Sequence, residues 1–140
     1  SHHGLMNALE GVDIHAATDI TGFGLLGHLK EMLIPGSIRA MIDSTKIPYI
    51  HDAQKLAQQG IQSSLFPANY AAIQASVSNK GADHWSLWCD PQTSGGWLLS
   101  IASDQADFAL SAIQICGFLG ASIIGHITQH KQGQPLIAIQ

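Results

Sequence analysis

An α/β domain, with a mixed sheet flanked by helices, is the fold this sequence predicts, and three observations predict it. Short runs such as residues 12–17 and 37–43 alternate apolar with polar side chains, the period of a half-buried strand. Leu25, Leu26, Leu29, Met32 and Leu33 recur instead at helical spacing, an apolar stripe on one face. Glycine and proline punctuate the chain between the two kinds of run. At 140 residues, one domain with a sizeable core is expected.

In chain order, residues 5–9 read as a short helix closed by Gly11, and residues 12–17 as the first strand. A glycine-rich turn leads into a helix over residues 24–33, which Pro35 and Gly36 stop. Residues 37–43 form the second strand. Pro48 suits the first turn of a helix over residues 49–59, with Gly60 as its C-terminal cap. A proline-containing connection spans residues 61–68, and Asn69 caps a helix through Tyr70, Ile73 and Val77 that ends at Gly81. Residues 84–89 are expected as a third strand and 97–102 as a fourth. Asp104 is a good N-cap for a helix over residues 105–119, with Phe108, Ala112, Ile115, Cys116 and Leu119 facing inward. Residues 121–128 and 136–139 then close the domain as a hairpin.

Composition narrows the function classes. Hydrophobic residues make up 46% of the chain and charged residues 11%, so it is globular, and part of its surface is expected to meet another domain or subunit. A net charge of −4 argues against non-specific nucleic-acid binding, which needs clustered Lys and Arg. No apolar run approaches ~18 residues, so no membrane span is expected. No signal peptide is recognisable. Cys89 and Cys116 sit in apolar runs and read as buried free thiols, which points to the cytoplasm.

Two turns carry the chemistry. Residues 18–28 pack Asp19, the hydroxyls of Thr18 and Thr21, and the glycines Gly22, Gly24 and Gly27 between a strand and a helix. Free N–H groups at such a junction favour an anion, and a carboxylate one turn earlier could hold a divalent cation bridging to it. The competing reading is a strand–helix turn whose glycines serve packing and whose Asp19 caps the helix. The second turn runs Asp90, Pro91, Gln92, Thr93, Ser94, Gly95, Gly96. It offers more hydroxyls and more backbone able to approach oxygen ligands, or else a connection in which Asp90 and Thr93 bond local backbone. Both turns open with Asp at an expected strand end, where a sheet fold can bring loops to one edge. Neither is a Walker loop or a dinucleotide fingerprint. His28 is expected as a hydrogen-bonded structural histidine, and Trp85, Trp88 and Trp97 as core or interface residues.

Residues 18–28, with Glu31 and Met32 behind them, resemble a signature of the selenophosphate synthetases (selenide, water dikinases), and so does the segment 90–96. Ile47 and Pro48, Gly60, Ser63 to Leu65, Pro67, Asn69, Ile124 and Gly125 fit the same pattern in order; Trp88 and Trp97 stand where that family carries smaller apolar residues. The resemblance covers nearly the whole chain but only the C-terminal of the family's two domains. It implies a fold like the C-terminal domain of aminoimidazole ribonucleotide synthetase. The whole enzyme would transfer a phosphoryl group from ATP to selenide, releasing AMP and phosphate. Asp19 would complete the Mg²⁺ site holding the ATP phosphates, with Thr21, Gly22 and Gly24 shaping its loop. Asp90, Gln92, Thr93, Ser94, Gly95 and Gly96 would line the interdomain cleft. The catalytic residues and nucleotide motifs belong to an N-terminal nucleotide-binding domain with no counterpart here, so no catalytic residue is expected in this chain and no activity of it alone. The complete enzymes would be homodimers. Alternatives are a non-catalytic binding module on the same fold, or another ATP-dependent enzyme of the superfamily.

Overall fold

The structure is a computed structural model that describes residue 4 and residues 7–79 and 84–140. Leu5 and Met6 of the expected first helix, and Gly81 as a helix terminator, lie outside the described residues. The α/β class holds. Strands β1 (Ile14–Asp19), β2 (Ile38–Ile42), β3 (Val77–Asn79), β4 (Trp97–Ile101), β5 (Gly125–Gln129) and β6 (Ile137–Ile139) alternate with helices. The helices are α1 (Gly24–Leu33), α2 (Ala53–Gln58), α3 (Phe66–Ile73), α4 (Trp85–Trp88) and α5 (Ala106–Ile115).

The strands divide between a mixed four-stranded sheet, in the order β3-β6-β2-β5, and a two-stranded ribbon of β1 with β4. β6 is parallel to both β2 and β3, whereas β5 runs antiparallel to β2. The expected terminal hairpin is therefore not formed: β5 and β6 flank β2 on opposite sides. Buried strands with apolar side chains on both faces suit parallel neighbours, and Ile137 and Ile139 are fully buried.

One core holds Leu25, Leu26, Leu29 and Leu33 of α1 against Ala40, Ile42, Ile137 and Ile139 of the sheet, with Ile73, Trp88 and Leu98. α1 follows its sequence stripe to the residue. A smaller cluster lies under the ribbon, where Leu9 and Ala109 pack with Ile14, Leu99, Ile101 and Ile113.

Several expected elements are corrected. Residues 84–89 are not a strand: Trp88 N–H donates to His84 O and Cys89 N–H to Trp85 O, closing the single helical turn α4. The tryptophans three apart decide it, because helical spacing turns Trp85 onto Tyr70 (ring centroids 5.0 Å) while Trp88 buries completely. Trp88 Nε1 donates to the Tyr49 hydroxyl at 2.8 Å, residues 47–50 are not helical, and α2 starts later than expected, after Asp52 at φ 65°. Burial nonetheless pushes the Tyr49 phenol above its ordinary range. Pro67 lies in the first turn of α3 and is not part of a connection. Asn69 lies inside that helix, with Leu65 as its N-cap. Val77 ends up in β3, opposite Ile137, where a β-branched residue is at home.

Asp104 sits in a short 3-10 turn, Ser103–Gln105, and does not cap α5. That helix ends at Ile115, beyond which Gly117 adopts φ 97°, the left-handed conformation that stops helices. Only its Ala109 stripe is buried. Phe108 (65% exposed), Ile115 (86%) and Leu119 (80%) face outward, as does Cys116, a free thiol at the surface. Cys89 is free and buried, and desolvation pushes its thiol up to about 12. Gly60 does cap α2: its N–H donates to Ala57 O and that of Ile61 to Leu56 O, a Schellman pair. Among the described residues no helix is long and apolar enough to cross a membrane.

Candidate functional site

β1 delivers Asp19 to the end of the ribbon, directly opposite Trp97 of β4. Opposed residues of an antiparallel pair share a face, so Asp19, Trp97, Ala17 and Leu99 lie together. Asp19, Ala17 and Trp97 are solvent-exposed there, while Leu98 on the other face enters the main core.

The chain then turns through residues 20–23 into α1, whose N-cap is Phe23 with no side-chain cap bond. Asp19 is therefore not the helix cap, the competing role the sequence allowed. Gly24 opens the helix at φ 68°, and a Cβ there would stand 2.7 Å from the carbonyl carbon of Cys89 and 2.9 Å from Trp88 O. Only glycine permits both that conformation and that closeness.

The second turn meets the first along the backbone. Ile20 N–H donates to Gly96 O at 3.0 Å, and Gln92 N–H to Thr21 O at 2.9 Å. A Cβ on Gly95 would collide with Ile20 O. All the residues singled out in the two turns, from Asp19, Thr21, Gly22 and Gly24 to Asp90 and Gly96, thus gather at one junction. Asp90, however, follows the α4 turn and not a strand. Its Oδ2 accepts from Gln92 Nε2 at 3.0 Å, a side-chain partner where a backbone one was expected. Thr93, Ser94 and Gly96 are exposed, whereas Gln92 and Gly95 are half-buried.

Asn69 is the residue that sequence reasoning misplaced. From inside α3, its Nδ2 donates to Gly22 O and to Cys89 O, each at 2.9 Å, so one amide ties both turns to a helix. Such a bond contributes about 1 kcal/mol net, and leaving a buried carbonyl unpaired costs more. A polar residue capable of two donations between apolar helix neighbours was the available signal.

His28, only 7% exposed, fulfils its expected structural role: its Nε2 lies 3.1 Å from Thr21 Oγ1 and its Nδ1 3.3 Å from Glu31 Oε2. The Phe23 ring tilts over it with centroids 5.5 Å apart. Among the described residues no group of three or more His, Cys, Asp or Glu gathers as a metal site. The donor set at the junction is hard oxygen: the carboxylates of Asp19 and Asp90 and the hydroxyls of Thr21, Thr93 and Ser94. It fits a partial share of a Mg²⁺ shell, since that ion takes few protein carboxylates and keeps phosphate and water oxygens. A hollow of about 390 Å³ lies elsewhere, lined by Gln54, Gln58, Phe66, His84 and Trp85.

Comparison with known proteins agrees with the motifs. The chain is 37% identical over 134 residues to "Selenide, water dikinase 2" of Peptoclostridium acidaminophilum, covering 94% of this chain and 38% of that relative. It is 40% identical over 134 residues to "Selenide, water dikinase" of Pseudomonas straminea, covering 94% of this chain and 36% of the relative. A Myxococcus xanthus protein of the same name is 37% identical over 123 residues. The chain thus spans little more than a third of the length of these curated relatives. Residues 4–137 match the family described as AIR synthase related protein, C-terminal domain, so the chain belongs to that family.

Proposed function

We propose that this chain serves as the C-terminal domain of a cytoplasmic selenophosphate synthetase, which makes selenophosphate from selenide and ATP and releases AMP and phosphate. The observation that carries the reading is the junction itself: two glycine turns welded by backbone bonds, with Asp19 in solvent beside the seam. In this reading Asp19 binds Mg²⁺ on the ATP phosphates, and a bound Mg²⁺ neutralises charge that develops during phosphoryl transfer. The work of this chain is then to hold groups in place. Gly22 and Gly24 let the turn pass close under the carboxylate, and Asn69 fixes that turn against Cys89 O. Asp90, Gln92, Thr93, Ser94, Gly95 and Gly96 form one wall of the cleft. The nucleotide-binding wall and the reacting groups come from an N-terminal domain, which also makes most of the homodimer contact, so this domain alone does not turn over.

Asp19→Ala in the full-length two-domain enzyme tests this. Selenide-dependent ATP consumption should fall more than about 100-fold, beyond what losing an outer-sphere partner typically costs, with the melting temperature unchanged. Full turnover by the isolated domain, or unaltered magnesium dependence in Asp19→Ala, overturns the reading.

A further inference from the structure

We propose that the hollow beside α2 is a binding site for an uncharged nucleoside, a flat heterocycle carrying a polyol. The site stands apart from the cation reading, since none of its lining residues belongs to either glycine turn.

The hollow of about 390 Å³ adjoins a second of about 320 Å³, because Gln54 and His84 line both. Each has the size of a small-molecule site. The helix that walls them, α2, has no buried residue, so it adds little to the core. Both its flanks are left-handed, at Asp52 (φ 65°) and Gly60 (φ 80°), and Asp52 is the one non-glycine residue of positive φ among the described residues. Strain of that kind persists only where the surroundings impose it, and it gathers at ligand sites. Close-packed proteins rarely leave such a space empty.

The first hollow offers rings and amides. Phe66 and Trp85 line it, and Tyr70 braces both, stacked on Phe66 (centroids 5.8 Å) and edge-on to Trp85 (5.0 Å). Gln54 and Gln58 stand one helical turn apart on α2, and Gln62 follows. A braced aromatic ring stacks on a base, and an amide matches the donor and acceptor set side by side on a base edge.

The second hollow offers hydroxyls whose hydrogens can be counted. Ser44 Oγ donates to Gln140 O at 2.8 Å and Thr45 Oγ1 to Asp43 Oδ1 at 2.6 Å, so both oxygens are left to accept. Tyr49 Oη accepts from Trp88 Nε1 at 2.8 Å and keeps its own hydrogen to give. Two acceptors and a donor suit sugar hydroxyls, which do both. Among the described residues no Lys, Arg, Asp or Glu lines either hollow. A phosphate would lose its hydration there without a partner, so the ligand is the free nucleoside and not a nucleotide.

Adenosine, uridine, adenine, ribose and AMP are each titrated into this chain, with NMR of the Trp85 indole N–H as the local probe. At least one nucleoside should bind and shift that signal, more tightly than adenine or ribose, with AMP weaker than adenosine. Trp85→Leu and Gln58→Leu should each weaken the nucleoside about tenfold or more. Gln58 is exposed, so its variant should keep the wild-type melting temperature. Tyr49→Phe should weaken adenosine and leave adenine unchanged. The proposal is overturned if neither nucleoside binds at millimolar concentration, or if the shifts fall outside the two hollows. It is equally overturned if ribose binds as tightly as adenosine, which leaves the rings no role, or if AMP binds more tightly than adenosine.

Discussion

The four-stranded sheet and the two-stranded ribbon are built from similar residues, yet they are finished to different degrees. Against the sheet, α1 buries Leu26, Leu29 and Leu33, and the strand residues Ile137 and Ile139 vanish from solvent. The ribbon has Leu98 in that same core, but on its other face only the Ile14 and Ile101 end is covered, by the Ala109 stripe of α5. Trp97 and Ala17, beside Asp19, stay exposed, and so do Phe108 and Ile115 of the nearby helix. Stability concentrates in the sheet, and the acid singled out by the motifs stands on the part that is left open. The proposed role as one wall of a cleft would use that division: a rigid block behind, and a face in front that another body can meet.

The contrast can be broken most sharply at the seam between the two regions. Gly24→Ala forces a Cβ onto the Cys89 backbone at φ 68°. Left-handed strain of about 1–3 kcal/mol adds there to overpacking of similar size, so chemical denaturation should show a loss of about 3–5 kcal/mol. A loss below about 1 kcal/mol would mean the seam yields. A paired comparison comes next. Leu33→Ala, at a side chain 1% exposed, should cost about 2–5 kcal/mol. Leu99→Ala, only half-buried on the ribbon, should cost about 1–2 kcal/mol in the same assay. Equal losses would show the ribbon to be as tightly packed as the sheet.

The smallest effect sits at the exit of β2. Asp43 accepts from Thr45 Oγ1 at 2.6 Å and from Thr45 N–H at 3.0 Å, and these bonds hold its carboxyl below the usual carboxylate range, with Lys46 adding a little. A folded-state value below the unfolded one stabilises once pH is above the unfolded value, and that gain disappears as pH falls through the folded one. Wild type and Asp43→Asn should therefore differ slightly in melting temperature at neutral pH and converge in acid. A gap that widens in acid would give the linkage the wrong sign.

Much of this was legible in the sequence because some elements carry their own periodicity. α1, β2 and β4 fell where alternation or a leucine stripe placed them. The two turns declared themselves through Asp, Thr and clustered Gly. What the sequence hid was decided by partners distant along the chain. Trp85 and Trp88 look like strand residues until Tyr70 and Tyr49 claim them. Val77 looks helical until Ile137 lies opposite. Residues 121–128 and 136–139 suggest a hairpin because they are neighbours in sequence, yet the strands they yield, β5 and β6, are separated by β2. At the junction, Asn69 was visible as a residue but not as a link, since both carbonyls it binds belong to other segments. The outward face of α5 has the apolar content of a core helix, and nothing local reveals that, among the described residues, Phe108 and Ile115 stay exposed.

The position of β6 also bears on how the domain comes off the ribosome. Residues 137–139 slot between β2 and β3, so during synthesis the strand at 77–79 waits without its neighbour while some sixty further residues emerge. The sheet closes from the middle, last, and by contacts of long sequence separation, which are slow to form. Until then the gap exposes two strand edges to whatever chaperone, or sister chain, reaches them first.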